Sequence, residues 1–312
     1  MSPLEVAVVG CGHMGSLHAS KLAAIPEVRV ASVADLDAAR AAALAERVHA
    51  RSFTDWREAL AGVAAVVVAV PPERHCEVTL AALERGLHVL VEKPIAATVE
   101  EATRLVELAE RRGVVFQVAH IERFNPAFQS IAARVDRPLF VDAERLAGFQ
   151  PRAKDVDVVL DLMIHDIDLA LTLVGREVAH VSACGFGVLT PGIDIANAYI
   201  EFDNGCIANL AASRVSQAPV RKYRVFQHNV YLSADLQAGK VRCVSRDGER
   251  IAQDDESFER PDALAAQDRA FVDAVRGERP VAVSGRHGRR ALDIALTVGR
   301  LARERLQRFH QS

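Results

Sequence analysis

The stretch VAVVGCGHMGSLHA, residues 6–19, decides the fold of the first part of the chain. An apolar run that predicts a buried strand leads directly into Gly10, Gly12 and Gly15, and a helical pattern follows. In this G-x-G-x-x-G spacing the first glycine permits a tight turn, the second lets a pyrophosphate approach the backbone, and the third lets the helix pack on the strand. The N–H groups at the helix N-terminus attract phosphate oxygens. The stretch therefore predicts a dinucleotide-binding turn; glycines that merely make a tight turn are the alternative.

Asp35 ends the next predicted strand, VRVASVAD (28–35). An acidic side chain at this place accepts hydrogen bonds from the adenosine ribose hydroxyl groups. Its charge repels a 2′-phosphate, so the sequence favours NAD over NADP. Arg40, which lies on the next helix, would soften that preference.

Residues 1–120 alternate short apolar runs with helical patterns. The runs are VAVVG (6–10), VRVASVAD (28–35), AAVVVAV (64–70), LHVLVEKP (87–94) and VVFQVAH (114–120). Strands that are apolar almost throughout are buried on both faces, and their alternation with helices indicates a parallel sheet. We therefore expect an α/β protein whose first domain, residues 1–120, is a doubly wound Rossmann domain.

After about residue 138 the pattern changes to one helix followed by consecutive longer strands, and we assign residues 121–312 to a second domain for substrate binding and oligomerisation. The strands are predicted in VAHVSACGFGVLT (178–190), IANAYIEFDNGCIANLAAS (195–213), KYRVFQHNVYLSA (222–234) and GKVRCVS (239–245). Asn204-Gly205 is a strong hairpin signal. Residues 247–262 are interpreted as a polar, acidic loop. Two helices near 262–276 and 286–306 end the sequence, and they are candidates for packing back on the first domain. The pattern predicts an α+β domain with a large open mixed or antiparallel sheet.

Composition narrows the functional class. The chain of 312 residues has a formal net charge of −3, which argues against a nucleic-acid-binding protein. Its five cysteines are scattered without a C-x-x-C pair, so we expect neither a disulfide framework nor a structural zinc site. The sequence starts without a signal-peptide pattern and holds no apolar run long enough for a membrane span. These features predict a cytoplasmic protein that binds neither nucleic acid nor membrane.

The stretch DVVLDLMIHDIDLAL, residues 157–171, reads as an apolar helix that carries several polar side chains. At about 3.6 residues per turn, Asp161 and His165 lie on one face, and Asp168 lies a turn further along. Carboxylates and an imidazole beside a buried stripe are costly unless they are paired or used. One alternative to a functional role is that His165 is a core histidine whose hydrogen bonds are satisfied. Another is a metal site that Asp161 and His165 form with Asp168, but we predict no metal. Asp166 is expected to face solvent or to cap a neighbour.

Lys93 follows the buried strand of HVLVEKP, residues 88–94. A parallel sheet presents the carboxyl ends of its strands to the ligand crevice, so Lys93 is predicted to reach the reacting groups. A surface lysine paired with Glu92 is the alternative.

These motifs together resemble the glucose-fructose oxidoreductase/inositol dehydrogenase (Gfo/Idh/MocA) family over nearly the whole chain. The similar stretches are GCGHMGSLHA (10–19), AVPPERHCEVTLAALERGLHVLVEKP (69–94), the Asp-x-x-x-His helix, SADLQAGKV (233–241) and FVDAVRGERPVAVSGRHGRRAL (271–292). The resemblance implies a nicotinamide-dependent dehydrogenase of a sugar or polyol hydroxyl, with an open-faced sheet domain that makes homodimers or homotetramers. It also implies that Lys93 orients substrate and cofactor and that Asp161 and His165 form the catalytic pair, with His165 as the acid/base. The predicted NAD contacts are Gly10, Gly12, His13, Met14, Gly15, Asp35, Val70, Pro71, Pro72, His75, Glu92 and Lys93.

A narrower resemblance rests on VAHIERFNPAF (118–128) together with DVDVVLDLMIHDID (155–168). This pair is similar to enzymes that oxidise the 3-hydroxyl of UDP-N-acetylglucosamine, for 3-amino sugar and lipid A synthesis, and pass the product to an aminotransferase. The predicted substrate contacts are Lys93, His120, Glu122, Arg123, Asn125, Arg152, Asp161 and His165. Polar residues of an interdomain hinge are the alternative for 120–125. Arg145 and Arg152 are candidates for diphosphate contacts or for solvated side chains.

The function that follows is oxidation of a ring hydroxyl by NAD, with UDP-N-acetylglucosamine as the expected substrate. In this hypothesis His165 removes the hydroxyl proton, Asp161 aims the imidazole, and Lys93 stabilises the developing negative charge on oxygen. A dehydrogenase of a free sugar or inositol is the first alternative. A catalytically silent NAD-binding regulator is an alternative from another class.

Overall fold

The chain divides into two compact units in a computed structural model that describes residues 2–149, 156–259 and 262–311. One unit comprises Met1–Ile121 and Asp262–Leu292, and the other comprises Glu122–Pro261 and Asp293–Ser312. The division of the sequence at residue 120 into two domains stays a prediction.

The helices and strands follow one another as the alternating and then the strand-rich patterns indicate. The strands are β1 (Leu4–Val9), β2 (Val28–Ala34), β3 (Arg51–Phe53), β4 (Ala65–Val68), β5 (His88–Val91), β6 (Phe116–Val118), β7 (Pro138–Leu146), β8 (Val178–Phe186), β9 (Ile195–Phe202), β10 (Ile207–Ser213), β11 (Val220–Gln227), β12 (Val230–Asp235), β13 (Lys240–Asp247) and β14 (Arg250–Ser257). The α-helices are α1 (His13–Ala23), α2 (Ala38–Val48), α3 (Trp56–Ala59), α4 (His75–Glu84), α5 (Val99–Arg112), α6 (Pro126–Ala132), α7 (Ile164–Val174), α8 (Ala263–Val275) and α9 (Gly285–Gln311).

The first unit contains a parallel six-stranded sheet in the order β3-β2-β1-β4-β5-β6. Residues 6–9 of β1 and all of β4 are apolar and buried on both faces, as the continuous apolar runs indicate. The strand order reverses between β1 and β4, and in such sheets the ligand crevice opens at the carboxyl ends of these strands. The predicted Rossmann domain is confirmed.

The second unit contains a mixed eight-stranded sheet in the order β14-β13-β12-β11-β7-β10-β9-β8. The turn after Asn204 joins β9 and β10 as an antiparallel pair, and Gly205 adopts φ 82° there. Alternate residues such as Val141 and Ala143 are buried on the face that α7 covers, because side chains along a strand point to opposite faces. The predicted α+β architecture is confirmed.

The interpretation of residues 247–262 as a loop is wrong, because Arg250–Ser257 form β14. This strand pairs with β13 in antiparallel register, with Arg242 opposite Asp255. β14 lies at the sheet edge and is mostly exposed, so it lacks the apolar alternation by which a strand is identified.

The predicted helix over 157–171 starts differently from a regular α-helix. Val159–Met163 form a π-helical turn, and α7 continues to Val174 before Gly175 ends it at φ 62°. The Asp157 carboxylate accepts the N–H groups of Val159 and Leu160, at 3.1 and 3.2 Å, and so satisfies the start of the turn. Short π-helical turns often occur at functional sites.

Candidate active site

The glycine turn between β1 and α1 has the shape that its sequence predicts. Gly10 has φ 96°, and a Cβ there would lie 2.4 Å from the Ala69 carbonyl oxygen. A Cβ on Gly15 would lie 1.7 Å from the Gly10 carbonyl oxygen, so helix and strand can approach only without a side chain. At Gly12 a Cβ would meet nothing within 4 Å. The turn thus leaves open space where a pyrophosphate would approach the backbone, and it fits a dinucleotide.

Asp35 lies beside this turn at the end of β2. Its carboxylate accepts the N–H of Cys11 at 2.7 Å and the N–H of Asp37 at 2.9 Å, which fixes its position. Burial, and then the charge of Asp35, raise the pKa of the Cys11 thiol to about 12, so this cysteine stays a neutral thiol. An open pocket of about 570 Å³ adjoins the turn. Its lining residues are Cys11, Gly12, His13, Ser16, Leu17, Ser20, Arg40 and Arg47.

His75 braces the two loops that follow β4 and β5. Its Nδ1 lies 2.7 Å from the Pro94 carbonyl oxygen, and its Nε2 lies 2.9 Å from that of Val70. The ring is buried, and burial lowers its pKa. His75 therefore ties the segment after β4, which includes Pro71 and Pro72, to the Glu-Lys-Pro turn.

Glu92 and Lys93 follow β5 at the carboxyl edge of the sheet, as predicted. The backbone N–H of Lys93 donates a hydrogen bond to one oxygen of the Glu92 carboxylate at 3.2 Å. The other Glu92 oxygen lies 3.0 Å from Nε2 of His18, and Nδ1 of His18 lies 2.7 Å from an Asp268 oxygen. Asp268 was missed by the sequence interpretation, because nothing local to α8 indicates a partner on α1.

The remaining predicted residues of the first unit differ in exposure. His13 is exposed at the start of α1, Met14 is half-buried, and His120 is buried. Asp35, the glycine turn, His75, Glu92 and Lys93 all belong to the carboxyl edge of one sheet.

Asp161 and His165 lie in the second unit, on the π-helical turn and on the first turn of α7. Both side chains are half-buried, whereas Met163 and Ile164 between them are fully buried. The apolar residues anchor the segment and leave the acid and the imidazole partly accessible.

Asp166 does not face solvent, so that expectation is wrong. Nε and Nη2 of Arg145 donate to its two oxygens at 2.8 and 2.9 Å, and both side chains are buried. Nη1 of Arg145 donates to Glu122 at 2.8 Å, and Arg221 donates to the same Glu122 oxygen at 3.2 Å. Burial raises the pKa of Asp166, while at Glu122 the effect of burial is outweighed by Arg145, which lowers the pKa. Arg145 is therefore an internal brace of α7 rather than a solvated side chain.

Arg123 and Asn125 also have internal partners. Arg123 donates to both oxygens of Asp168, at 2.7 and 2.6 Å. The side-chain Oδ1 of Asn125 accepts the N–H of Ala127 and caps α6, and its Nδ2 donates to the Leu236 carbonyl oxygen at 2.9 Å. Arg152 lies outside the described residues. Substrate contact by any of these three side chains stays a prediction.

The described residues also bear on metal binding and on membrane insertion. Among the described residues, no group of three or more His, Cys, Asp or Glu is arranged to hold a metal ion. In the same part of the chain, no helix combines the length and the apolar content needed to cross a bilayer.

Comparison with known proteins agrees with this geometry. Residues 4–120 match the oxidoreductase family with the NAD-binding Rossmann fold, and residues 128–230 match the GFO/IDH/MocA C-terminal domain. The chain belongs to the Gfo/Idh/MocA family of oxidoreductases. The predictions of this family and of an NAD-dependent oxidoreductase are therefore confirmed.

Individual relatives cover almost the whole chain. UDP-N-acetylglucosamine 3-dehydrogenase of Acidithiobacillus ferrooxidans is 39% identical over 305 residues, which span 96% of this chain and 97% of that protein. Its crystal structure superimposes with a TM-score of 0.91 at 39% identity, covering 96% of this chain and 98% of that chain. GenD2 of gentamicin A biosynthesis, solved in complex with NAD, has a TM-score of 0.84 at 27% identity and covers 97% of this chain and 95% of that one.

Proposed function

We propose that this enzyme oxidises the C3 hydroxyl of UDP-N-acetylglucosamine to the 3-keto sugar, with NAD as the hydride acceptor. The observation that carries the proposal is the identity of 39% to a UDP-N-acetylglucosamine 3-dehydrogenase over 96% of the chain. The proposal is also supported by the chemistry of the half-buried pair Asp161 and His165 on one helical segment.

The predicted NAD contacts are proposed to divide between the phosphates, the adenosine and the nicotinamide. Gly10, Gly12 and Gly15 would admit the pyrophosphate, with His13 and Met14 at the helix start, and Asp35 would accept the ribose hydroxyl groups. Val70, Pro71, Pro72, His75 and Glu92 would line the path toward the nicotinamide. Bound at this site, NAD would supply the acceptor for the hydride that leaves the carbinol carbon.

We propose that His165 accepts the hydroxyl proton, so that the O–H and C–H bonds break and a C=O bond forms. An imidazole has an ordinary pKa near the working pH, which suits a general base. Asp161 would fix the ring orientation and stabilise the imidazolium. Lys93 would donate to the reacting oxygen and stabilise its developing negative charge. His120, Glu122, Arg123, Asn125 and Arg152 would contact or position the nucleotide sugar.

The decisive experiment is incubation of purified enzyme with NAD and single UDP-sugars while NADH absorbance is followed. We expect turnover with UDP-N-acetylglucosamine, pulled forward by an aminotransferase and an amino donor, and no turnover with N-acetylglucosamine or inositol. His165→Asn should lower kcat by about 100-fold or more while NADH binding persists. Turnover of inositol without any effect of UDP would instead identify a polyol dehydrogenase, and NADH binding without turnover of any sugar would identify a silent regulator.

The biological setting is part of the same proposal. A 3-keto nucleotide sugar is a substrate for transamination, so a cytoplasmic aminotransferase is the expected partner in 3-amino sugar and lipid A synthesis. A homodimer or homotetramer is supported by the sheet face that carries Tyr199 and Phe226, which are 39% and 38% exposed. Light scattering should give a multiple of the 33.8 kDa chain mass, and Phe226→Glu should shift it toward the monomer.

A further inference from the structure

Three ionisable side chains from distant parts of the sequence form a buried line in the first unit. His18 on α1 is fully buried, and its two ring nitrogens face Asp268 on α8, at 2.7 Å, and Glu92 after β5, at 3.0 Å. Asp268 is fully buried and the Glu92 side chain is only 12% exposed. Burying such groups is costly unless each is paired, so this cluster needs a physical explanation.

The geometry defines the charge of the cluster. A neutral imidazole carries one N–H and would turn a lone pair toward one of the two carboxylates, whereas an imidazolium donates to both. Burial by itself would lower the pKa of His18, but Asp268 and then Glu92 outweigh it and raise that pKa to about 10. Two carboxylates and one imidazolium together carry a single net negative charge. Burial, and then the charge of Glu92, raise the pKa of Asp268, whereas the neighbouring His18 imidazolium lowers it.

The line ends at the residue proposed to touch the reacting oxygen. One oxygen of Glu92 faces His18, and the other accepts the backbone N–H of Lys93 at 3.2 Å. Glu92 therefore connects the buried imidazolium to the peptide from which the Lys93 side chain projects. The charge of Glu92 also lowers the electrostatic energy of a neighbouring ammonium.

Several charged groups on the neighbouring elements pair with partners outside this cluster, as Arg269 of α8 does with Asp273 at 2.6 Å. On β1 and β2, Glu5 pairs with Arg29 at 3.4 Å. Arg47 of α2 donates to Ser16, and Lys21 of α1 pairs with Asp262 at the start of α8. β4 has no ionisable side chain.

We propose that Asp268, His18 and Glu92 form a positioning relay for Lys93. The relay holds the Glu-Lys-Pro peptide in one orientation and places a net negative charge beside the lysine ammonium. His18 and Asp268 act through Glu92 and touch no substrate. The inference rests on the proposed role of Lys93, and it assigns a function to two residues that the reaction itself does not use.

The test is performed on substrate-free enzyme, so that it stays valid if the sugar substrate proves different. The chain has only five lysines, which makes reductive ¹³C-methylation and NMR titration of each ammonium practical; Lys93 is assigned by the signal lost in Lys93→Arg. His18→Gln removes a positive charge from the relay and should raise the pKa of Lys93 by roughly half a unit or more. Lys21→Gln, which breaks a surface ion pair between the same two helices, is the matched control and should leave the Lys93 titration unchanged.

A second measurement needs no substitution of His18. In the ¹⁵N spectrum of the wild-type enzyme, both ring nitrogens of His18 should keep imidazolium shifts up to about pH 9, and Asp268→Asn should make the ring deprotonate at lower pH. In turnover assays, His18→Gln should lower kcat while the Kd for NADH changes less than threefold. A His18 ring that is neutral at pH 8, or a Lys93 titration that is the same in His18→Gln and wild type, would overturn the relay.

Discussion

The Arg145 guanidinium donates two hydrogen bonds to the Asp166 carboxylate, at 2.8 and 2.9 Å. Asp166 is the residue directly after His165 in the chain. The pair spans from β7 to the first turn of α7, and both side chains are buried. Because an arginine fork and a carboxylate match in only one relative orientation, the pair restricts rotation of the helix that carries His165.

Replacement of Arg145 by Met should therefore destabilise the second unit strongly. It leaves Asp166 and Glu122 buried without their shared cation, which in such pairs costs about 3–5 kcal/mol. The measurement is the thermal unfolding midpoint together with kcat. Arg242→Met, which breaks an exposed pair with Asp255, serves as the comparison and should leave the midpoint unchanged. Equal midpoints for the two variants would refute the role of Arg145 as a brace.

Substitution of alanine for Gly15 or for Gly12 should have different effects, although each adds only one methyl group to the glycine turn. In Gly15→Ala the new Cβ would lie 1.7 Å from the Gly10 carbonyl oxygen, so α1 must move and both folding and NADH binding should suffer. In Gly12→Ala the Cβ projects into open space, so the unfolding midpoint should be kept while NADH affinity drops about tenfold or more. Circular dichroism and NADH fluorescence titration distinguish these outcomes. A Gly12→Ala enzyme that binds NADH as tightly as wild type would contradict a pyrophosphate at this turn.

Features that depend on neighbouring residues could be predicted from the sequence. The turn at Gly10, the acid at Asp35 and the position of Lys93 directly after β5 each follow from elements that are adjacent in the chain. The hairpin at Gly205 follows in the same way, because an Asn-Gly pair between two strand-like runs favours a tight turn that joins antiparallel strands.

Features that depend on distant partners could not be predicted. His18 and Asp268 are 250 positions apart, and no local pattern indicates that their helices meet. Asp166 was expected to face solvent or to cap a neighbour, because its partner Arg145 belongs to another element. β14 was missed since an edge strand can be polar on both faces, and the π-helical turn before α7 differs from an α-helix by hydrogen bonding rather than by composition.

Asp35 should control the choice between the two nicotinamide dinucleotides. Asp35→Ser removes the charge that repels a 2′-phosphate and weakens the contact with the ribose hydroxyl groups. We expect the KM for NAD to rise about 10- to 100-fold, as charge-assisted hydrogen bonds are lost, and the use of NADP to increase relative to NAD. Kinetics with both cofactors measure the effect. In the double variant with Arg40→Ala, the gain with NADP should shrink, because that guanidinium lies in the pocket beside the turn. An unchanged ratio between the cofactors in Asp35→Ser would exclude Asp35 from the ribose site.

Asp194 should make the stability of the second unit depend on acid pH. Its carboxylate accepts the N–H groups of Val188, Leu189 and Thr190 at 2.8, 2.7 and 2.8 Å and so closes the loop between β8 and β9. Burial opposes ionisation, but these N–H groups and the Thr190 hydroxyl lower the pKa to about 2, below the ordinary value of 3.8. A folded-state pKa below the unfolded one stabilises the protein above about pH 4, by about 2 kcal/mol, and the contribution disappears as the pH falls toward 2.

Asp194→Asn should accordingly lower the unfolding midpoint at pH 7, and the gap to wild type should narrow steadily between pH 4 and pH 2. The narrowing follows because the wild-type carboxylate becomes protonated over that range, whereas the amide does not titrate. Asp247→Asn, at an exposed position on β13, controls for the change in net charge, and its unfolding midpoint should equal that of wild type at every pH. A gap between Asp194→Asn and wild type that stays constant down to pH 2 would show that the ionised carboxylate does not hold this loop.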